Sequence, residues 1–201
     1  MARGPAPETM TSARDARMRG RGAPAAGGLE ERAGGGVPAR SGAPRTLLLG
    51  MGNPYLCDDA VGIRLAESLH LRVGEVQGLT YLEECSLGGL HILDLVAGYD
   101  RLVVLDSIRA GGPPGGWYRF DGRALRETMN LSSVHDTNLA TALELGRRLG
   151  LKVPSEAEIH VFAVEVEDNL TFSERMSDAL EAAFPAFANE IGSEVAALLR
   201  R

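Results

Sequence analysis

The chain has 201 residues, of which 44% are hydrophobic and 24% charged, a composition typical of a soluble globular protein with one substantial core. Its formal net charge of −6 is unevenly spread, with +3 on residues 1–44 and −9 on residues 45–201. An acidic domain is a poor match for nucleic-acid phosphates, and no apolar run approaches the length of a membrane span, so we expect neither nucleic-acid binding nor membrane insertion.

The first 44 residues differ in composition from the rest of the chain. They contain nine glycines, five prolines and seven arginines, with almost no large apolar side chains. Such a segment buries too little surface to offset the entropy lost on ordering. We therefore predict a disordered tail over residues 1–44 and a single α/β domain over residues 45–201. The arginines suggest a nucleic-acid tail, but no aromatic residue is interleaved with them for base stacking. The favoured interpretation is a solvated extension, or a start codon at Met10 or Met18.

The two cysteines, Cys57 and Cys85, are too few for a disulfide framework, and no secretory signal precedes them. We expect two free thiols in a cytoplasmic protein. Cys57 could act as a nucleophile with a distant histidine, but the neighbouring charges of Asp58 and Asp59 should raise its pKa and oppose activation. We interpret Cys57 as a small semi-buried residue and Cys85 as part of the core.

Strand and helix patterns alternate from residue 45 onward. The predicted strands are residues 45–51, two pieces within 75–85 on either side of Gly78, 101–108, 117–120 at a sheet edge, and 158–166. The predicted helices are residues 59–71, 89–97, a segment of 132–149 that follows a loop, and 173–199, where Pro185 should break or kink the helix. Strands separated by helices favour right-handed crossovers, so we predict a three-layer α/β/α sandwich with a mostly parallel sheet of about five strands.

The glycines that follow the first strand invite a dinucleotide-binding interpretation. The first two glycines of the fingerprint are present as Gly50 and Gly52, but Tyr55 occupies the position of the third. Pro54 also removes a backbone N–H that a phosphate could have used. A tight strand-to-helix turn explains both glycines without a nucleotide. We therefore do not expect a nucleotide site here.

Acidic residues stand at the ends of two predicted strands. Asp58 and Asp59 follow the first strand, and either could cap the helix that comes next. Two adjacent aspartates point in different directions, so one can cap while the other faces the sheet edge. Asp106 ends the apolar run of residues 102–105, where a charge is costly unless it is paired or bound to a cation. An alternative is that Asp106 only caps a turn with Ser107.

His135 precedes a predicted helix, and its neighbour Asp136 could orient its ring. A lone histidine at this position is usually a surface or capping residue. Together, Asp59, Asp106 and His135 give two carboxylates and one imidazole near the carboxyl edge of the sheet, a donor set that suits zinc, nickel or manganese. No local spacing rule identifies the three residues as ligands.

Three segments, in this order, resemble the hydrogenase maturation proteases. The opening LGMGN followed by DDAVG at residues 49–62 is similar to the family's GxGN…D[DE]xxG sequence. Residues 105–107, LDS, are similar to its strand-end aspartate segment, and residues 133–136, SVHD, to its S-x-H segment. The segment at residues 84–89, ECSLGG, keeps only the glycines of the family's Asp-Gly-Gly-Thr sequence. The resemblance spans roughly Thr46 to the C-terminal helix.

The resemblance implies an α/β endopeptidase that removes the C-terminal extension of a nickel–iron hydrogenase large-subunit precursor after nickel insertion. It implies that Asp59, Asp106 and His135 are both the catalytic residues and the metal ligands. The ion would be nickel carried by the precursor, with zinc or another divalent ion as alternatives. We expect a monomer. The main alternative is a non-catalytic, metal-sensing or chaperone-like module for a metalloenzyme precursor, and the other is an unrelated nucleotide-dependent enzyme.

Overall fold

The computed structural model describes residue 42 and residues 44–85, 91–127 and 134–201, the side chains of residues 83–85, 125–127 and 134–138 excepted. The disordered tail predicted for residues 1–44 therefore lies outside the described residues, apart from residues 42 and 44. Among the helices that the structure describes, none combines the length and apolar character needed to cross a bilayer.

Strands and helices alternate along the described chain, because apolar runs of strand length are separated by segments with helical apolar spacing. The strands are β1 (Thr46–Met51), β2 (Leu79–Cys85), β3 (Arg101–Ile108), β4 (Trp117–Asp121) and β5 (Ile159–Glu165). The helices are α1 (Val61–Val73), α2 (His91–Val96), α3 (Gly122–Glu127), α4 (Val134–Arg148) and α5 (Asp178–Leu199). Single turns of 3₁₀ helix occur at Cys57–Ala60 and Glu156–Glu158.

The five strands form one sheet in the order β2-β1-β3-β5-β4. Strands β1, β2, β3 and β5 are parallel, and β4 pairs antiparallel with β5 at an edge. The predicted α/β fold with a mostly parallel five-stranded sheet is confirmed. From β1 the chain continues to β2 on one side, whereas from β3 it continues to the other side of the sheet, where β5 and β4 lie. A crevice therefore opens at the carboxyl ends of β1 and β3, where open α/β sheets bind their ligands.

Helices cover both faces of the sheet and bury one apolar cluster on each face. Helices α1 and α5 pack on the first face, against side chains such as Leu48, Val103 and Phe162. Helices α2 and α4 pack on the second face, against alternate side chains such as Leu49 and Val104. Because side chains alternate between faces along a strand, each position of β3 and β5 can be assigned to one face or the other.

Several predicted element boundaries differ from the structure. The helix expected from residue 59 begins at Val61, after the 3₁₀ turn, and the two strand pieces expected within 75–85 are the single strand β2. Helix α3 was not predicted. These short segments lack enough residues for a helical or strand period to be distinctive.

Of the break or kink predicted at Pro185, the break does not occur, because α5 continues through this residue. Residues 173–177, which were also expected to be helical, precede α5 and form a loop. Proline removes one backbone hydrogen bond, but apolar side chains on both sides of it are buried, among them Leu180, Phe187 and Ile191. Phe184 also meets Phe187 edge to face, with ring centroids 5.2 Å apart. Packing on the sheet therefore outweighs the lost hydrogen bond.

A glycine sets how closely α1 approaches the carboxyl ends of β1 and β3. A Cβ atom on Gly62 would lie 2.3 Å from the carbonyl oxygen of Met51 and 2.4 Å from that of Leu105. Both distances are far below van der Waals contact, and both neighbours are backbone atoms of central strands. Only glycine allows the first turn of α1 to lie on this part of the sheet.

We predict that Gly62→Ala destabilises the protein by about 3 kcal/mol or more, because the methyl group forces α1 away from both strands. Helix propensity alone would favour alanine by about 1 kcal/mol, so the sign of the effect is informative. Urea unfolding measures it, with Gly150→Ala as the control. Gly150 ends α4 in the left-handed conformation, with a φ of 71° and open space around its Cβ position, so its substitution should cost only about 1 kcal/mol. Equal stability of Gly62→Ala and the wild type would contradict the close approach.

Candidate metal and active site

The turn between β1 and α1 folds back tightly on itself. Gly52 has a φ of 137°, and a Cβ atom there would lie 2.0 Å from the carbonyl oxygen of Asp59. A Cβ atom on Gly50 would lie 2.8 Å from both the side chain of Ala66 and the carbonyl oxygen of Gly62. Steric requirements of the turn thus account for both glycines of the Gly-x-Gly sequence. A nucleotide is not needed to explain them.

Asp58 is fully buried, and its carboxylate accepts hydrogen bonds from distant parts of the chain. Its Oδ2 accepts from the backbone N–H groups of Glu167 (3.3 Å) and Asp168 (3.1 Å) and from the hydroxyl of Ser177 (3.1 Å). Its Oδ1 accepts from the backbone N–H of Ser177 at 2.7 Å. Asp58 therefore does not cap the helix that follows it, although capping is the role that its position in the sequence suggests. It joins the turn after β1 to the loop after β5 and to the start of α5.

Asp59 is also buried but faces the strand ends. Its Oδ2 accepts from the backbone N–H of Asn53 at 2.8 Å, and its Oδ1 accepts from the hydroxyl of Ser107 at 2.8 Å. Asp106, 2% exposed near the end of β3, accepts the backbone N–H of Ser107 at 2.8 Å. Ser107 thus donates to both carboxylates, one through its side chain and one through its backbone. Ser107 therefore contacts both carboxylates at the carboxyl ends of the central strands.

The alternation of β3 assigns these groups to different faces of the sheet. Asp106 follows Leu102 and Val104 on the face covered by α2 and α4, and Ser107 lies on the α1 and α5 face. Asp59 therefore approaches the crevice from one face, and Asp106 lies on the other.

His135 lies in the first turn of α4, and its side chain is outside the described residues. No group of three His, Cys, Asp or Glu side chains able to hold a metal ion is found among the side chains that the structure describes, a set that does not include His135. The three-residue site predicted from the sequence remains a prediction.

Cys57 lies beside these aspartates in a backbone conformation with a φ of 41°. Burial raises the pKa of its thiol, and the negative charges of Asp58 and Asp168 raise this pKa further. The sequence predicted a raised pKa, although it named Asp59 rather than Asp168 as the second charge. A thiol in this setting is a poor nucleophile.

Two buried polar residues near the site were not predicted as functional. One is Ser107, whose hydroxyl could be read only as part of a turn. The other is Glu165 at the end of β5, whose Oε1 accepts the backbone N–H groups of Ala110 and Gly111, both at 2.8 Å. A carboxylate that ends an apolar strand is the same signal that identified Asp106. The carboxylate of Glu165 fixes the loop that follows β3.

Comparison with known proteins connects this geometry to a family. A family model described as hydrogenase maturation protease matches residues 63–194, about two thirds of the chain. This chain belongs to the hydrogenase maturation protease family. The match includes Asp106 and His135 and begins four residues after Asp59. Members of the family are metal-dependent endopeptidases, with nickel as the associated metal, and process the C-terminus of the nickel–iron hydrogenase large subunit.

Individual family members show the same similarity. The hydrogenase expression/formation protein HupD of Thiocapsa roseopersicina is 29% identical over 152 residues, which cover 72% of this chain and 68% of that protein. The hydrogenase maturating endopeptidase HybD of E. coli has a similar structure, with a TM-score of 0.62 and 26% identity over 73% of this chain and 89% of that one. HybD of Thermococcus kodakarensis shares the fold, with a TM-score of 0.55 and 22% identity over 75% of this chain and 98% of that one.

The two adjacent aspartates of this protease should respond differently to the same isosteric change. We predict that Asp58→Asn lowers the free energy of unfolding by about 2–4 kcal/mol, because each of its oxygens accepts backbone N–H groups and the new amide must face one of them. Asp59→Asn should cost less than about 1 kcal/mol. Its amide can donate to the Ser107 hydroxyl while its oxygen still accepts the Asn53 N–H. Chemical denaturation of both variants measures the difference, and equal losses would contradict the separation of roles.

Proposed function

We propose that Asp59, Asp106 and His135 bind the nickel ion that the large-subunit precursor carries, and that the protein removes the C-terminal extension only after nickel insertion. The observation that supports this most is the Ser107 residue that donates to both carboxylates at the crevice between β1 and β3. Both carboxylates are buried at a ligand-binding edge of the sheet, and a divalent cation bound between them would offset the cost of burying their charges.

The hydrogen bonds of the site support a role in holding a cation. Each carboxylate accepts at least one N–H or O–H donor, which fixes its orientation before the substrate arrives. Carboxylate oxygens with one imidazole form a donor set that suits nickel, zinc and related ions. We infer that the nickel ion of the precursor is the natural one, and that zinc or another divalent ion can replace it in the binding site.

The position of α4 supports His135 as the third group. Helix α4 packs on the face of the sheet where Asp106 lies, and its apolar residues contact the same cluster as Leu102 and Val104. Helix α4 leads towards the start of β5, so its first turn, which contains His135, is at the other end of the helix from the start of that strand. An imidazole from this turn and a carboxylate from the α1 side would then hold the ion from opposite faces.

The ion, once held, would polarise the carbonyl of the scissile peptide bond as a Lewis acid. The contribution of the chain is positional: Asp59 and Asp106 align the nickel-bearing end of the precursor with the crevice. Because these residues contact an ion that belongs to the substrate, cleavage would report on nickel insertion. We further propose that the protein acts as a cytoplasmic monomer on this precursor.

The cleavage assay that tests this function compares nickel-loaded and nickel-free large-subunit precursor. We expect cleavage of the loaded form only, and at least about a 100-fold loss of kcat/KM in Asp59→Asn, Asp106→Asn and His135→Asn. Asp94→Asn changes an exposed carboxylate on α2 and serves as the matched control with wild-type activity. Cleavage that is independent of nickel would contradict the proposal, as would a fully active variant at any of the three positions.

The Ser107 hydroxyl should position Asp59 without contacting the substrate. We predict that Ser107→Ala reduces kcat/KM for the nickel-loaded precursor by about tenfold, because Asp59 then keeps only its hydrogen bond to the Asn53 N–H. Titration of the purified variant with Ni²⁺ should show weaker binding by a similar factor. Unchanged Ni²⁺ binding and activity would show that the hydroxyl contributes only to folding.

A further inference from the structure

Two aromatic side chains stand exposed beside the candidate site. Tyr55 is 59% exposed and Phe172 is 85% exposed. Their backbones are neighbours, because each residue precedes one partner of a parallel bridge between Leu56 and Ser173. The backbone N–H of Ser173 donates to the carbonyl of Tyr55, and that of Cys57 donates to the carbonyl of Ser173, both at 3.0 Å. Leu170, 73% exposed, lies two residues before Phe172, and we call these three side chains the apolar rim.

The apolar rim is carried by backbone that is held in place on both sides. Asp58 accepts hydrogen bonds from Glu167, Asp168 and Ser177, so it holds both ends of the loop that contains Leu170 and Phe172. The carboxylate of Asp168 in turn accepts the backbone N–H groups of Leu170 and Thr171. A surface whose backbone is already ordered loses less conformational entropy when it binds a partner.

The position of the apolar rim connects it to the proposed site. Tyr55 lies four residues before Asp59, in the same turn, and the loop that carries Phe172 is held by the neighbouring Asp58. A polypeptide that enters the crevice with its scissile bond near Asp59 would therefore pass the rim. Exposed aromatic side chains that flank a functional cleft are typical of a surface for protein recognition.

The charges around the apolar rim indicate what kind of segment fits there. Glu167, Asp168, Glu174 and Asp178 lie between residues 167 and 178, against Arg175 as the one cation of that stretch. Arg175 lies 3.7 Å from the carboxylate of Asp178, and Arg109 from the loop after β3 is close enough to Asp168 to help lower its pKa. The exposed Glu167 and Glu174 then leave this loop with a negative surface. A cationic segment complements such a surface, while an acidic one is repelled by it.

We propose that the apolar rim docks an extended segment of the large-subunit precursor beside its scissile bond, a segment that presents an apolar side chain next to a cationic one. The apolar side chain packs on Tyr55 and Phe172, and the cationic one lies over Glu167 and Glu174. This inference rests on the proposed function, since it assigns the precursor to the same site. A second copy of the chain and the Arg-rich residues 1–44 are the other occupants that the test addresses.

The test measures steady-state cleavage of nickel-loaded precursor by the full-length chain with Tyr55→Ser, Phe172→Ser and both together. We expect the double variant to raise KM by about tenfold with kcat changed less than about twofold, since removal of contact residues weakens docking but leaves the candidate ligands in place. Leu71→Ser and Leu149→Ser remove apolar side chains of similar exposure, 76% and 63%, away from the rim and serve as controls with wild-type KM. Glu167→Lys with Glu174→Lys should raise KM further and reverse its salt dependence.

Each other outcome overturns the docking proposal in a distinct way. A double variant with wild-type KM shows that the rim does not contact the precursor. A wild-type dimer in sedimentation that the double variant converts to a monomer assigns the rim to a second copy. A fall in wild-type KM on removal of residues 1–44 that the double variant reproduces assigns it to the tail. In all three cases wild-type cleavage of the nickel-loaded precursor leaves the proposed function standing, whereas absence of that cleavage removes the function itself.

Discussion

The buried carboxylate of Asp58 connects parts of the chain that are 109 to 119 residues apart in sequence. It accepts backbone N–H groups at the start of the loop after β5 and at the start of α5, and an unpaired charge at this depth would be strongly unfavourable. The hydrogen bonds therefore fix the turn after β1 in one conformation. In that conformation Asp59 accepts a hydrogen bond from the Ser107 hydroxyl at the strand ends, and the backbone of Tyr55 pairs with that of Ser173, next to Phe172. The candidate site and its rim both depend on this one carboxylate.

Glycine provides the second constraint, because the same turn must fit between α1 and the sheet. Gly52 lets the chain double back against the carbonyl of Asp59, and Gly62 lets α1 rest on the backbone of β1 and β3. Together these contacts place a short turn between β1 and β3, from which the chain connections run to opposite sides of the sheet. Open α/β sheets bind ligands at this point, since no crossover helix covers it. The residues of this turn therefore determine the geometry of the crevice as well as its chemistry.

The sequence predicts the central sheet and identifies Asp106 as a candidate site residue, for different physical reasons. Asp106 ends the apolar run of residues 102–105 within β3, and a charge that follows such a run is recognisable from the sequence. The different roles of Asp58 and Asp59 cannot be assigned from local pattern, because they depend on donors more than a hundred residues away. The contribution of Ser107 is equally non-local. Helix α5 continues through Pro185 because tertiary packing outweighs a local signal, which no propensity scale contains.

Convergence of Asp59, Asp106 and His135 on one ion can be observed by anomalous diffraction from a crystal soaked in Ni²⁺. We predict a single anomalous peak in the crevice between β1 and β3, about 2.0–2.2 Å from one oxygen of each aspartate and from one imidazole nitrogen. A peak at another place, or an ordered His135 whose ring lies too far from the carboxylates to share an ion with them, would contradict it.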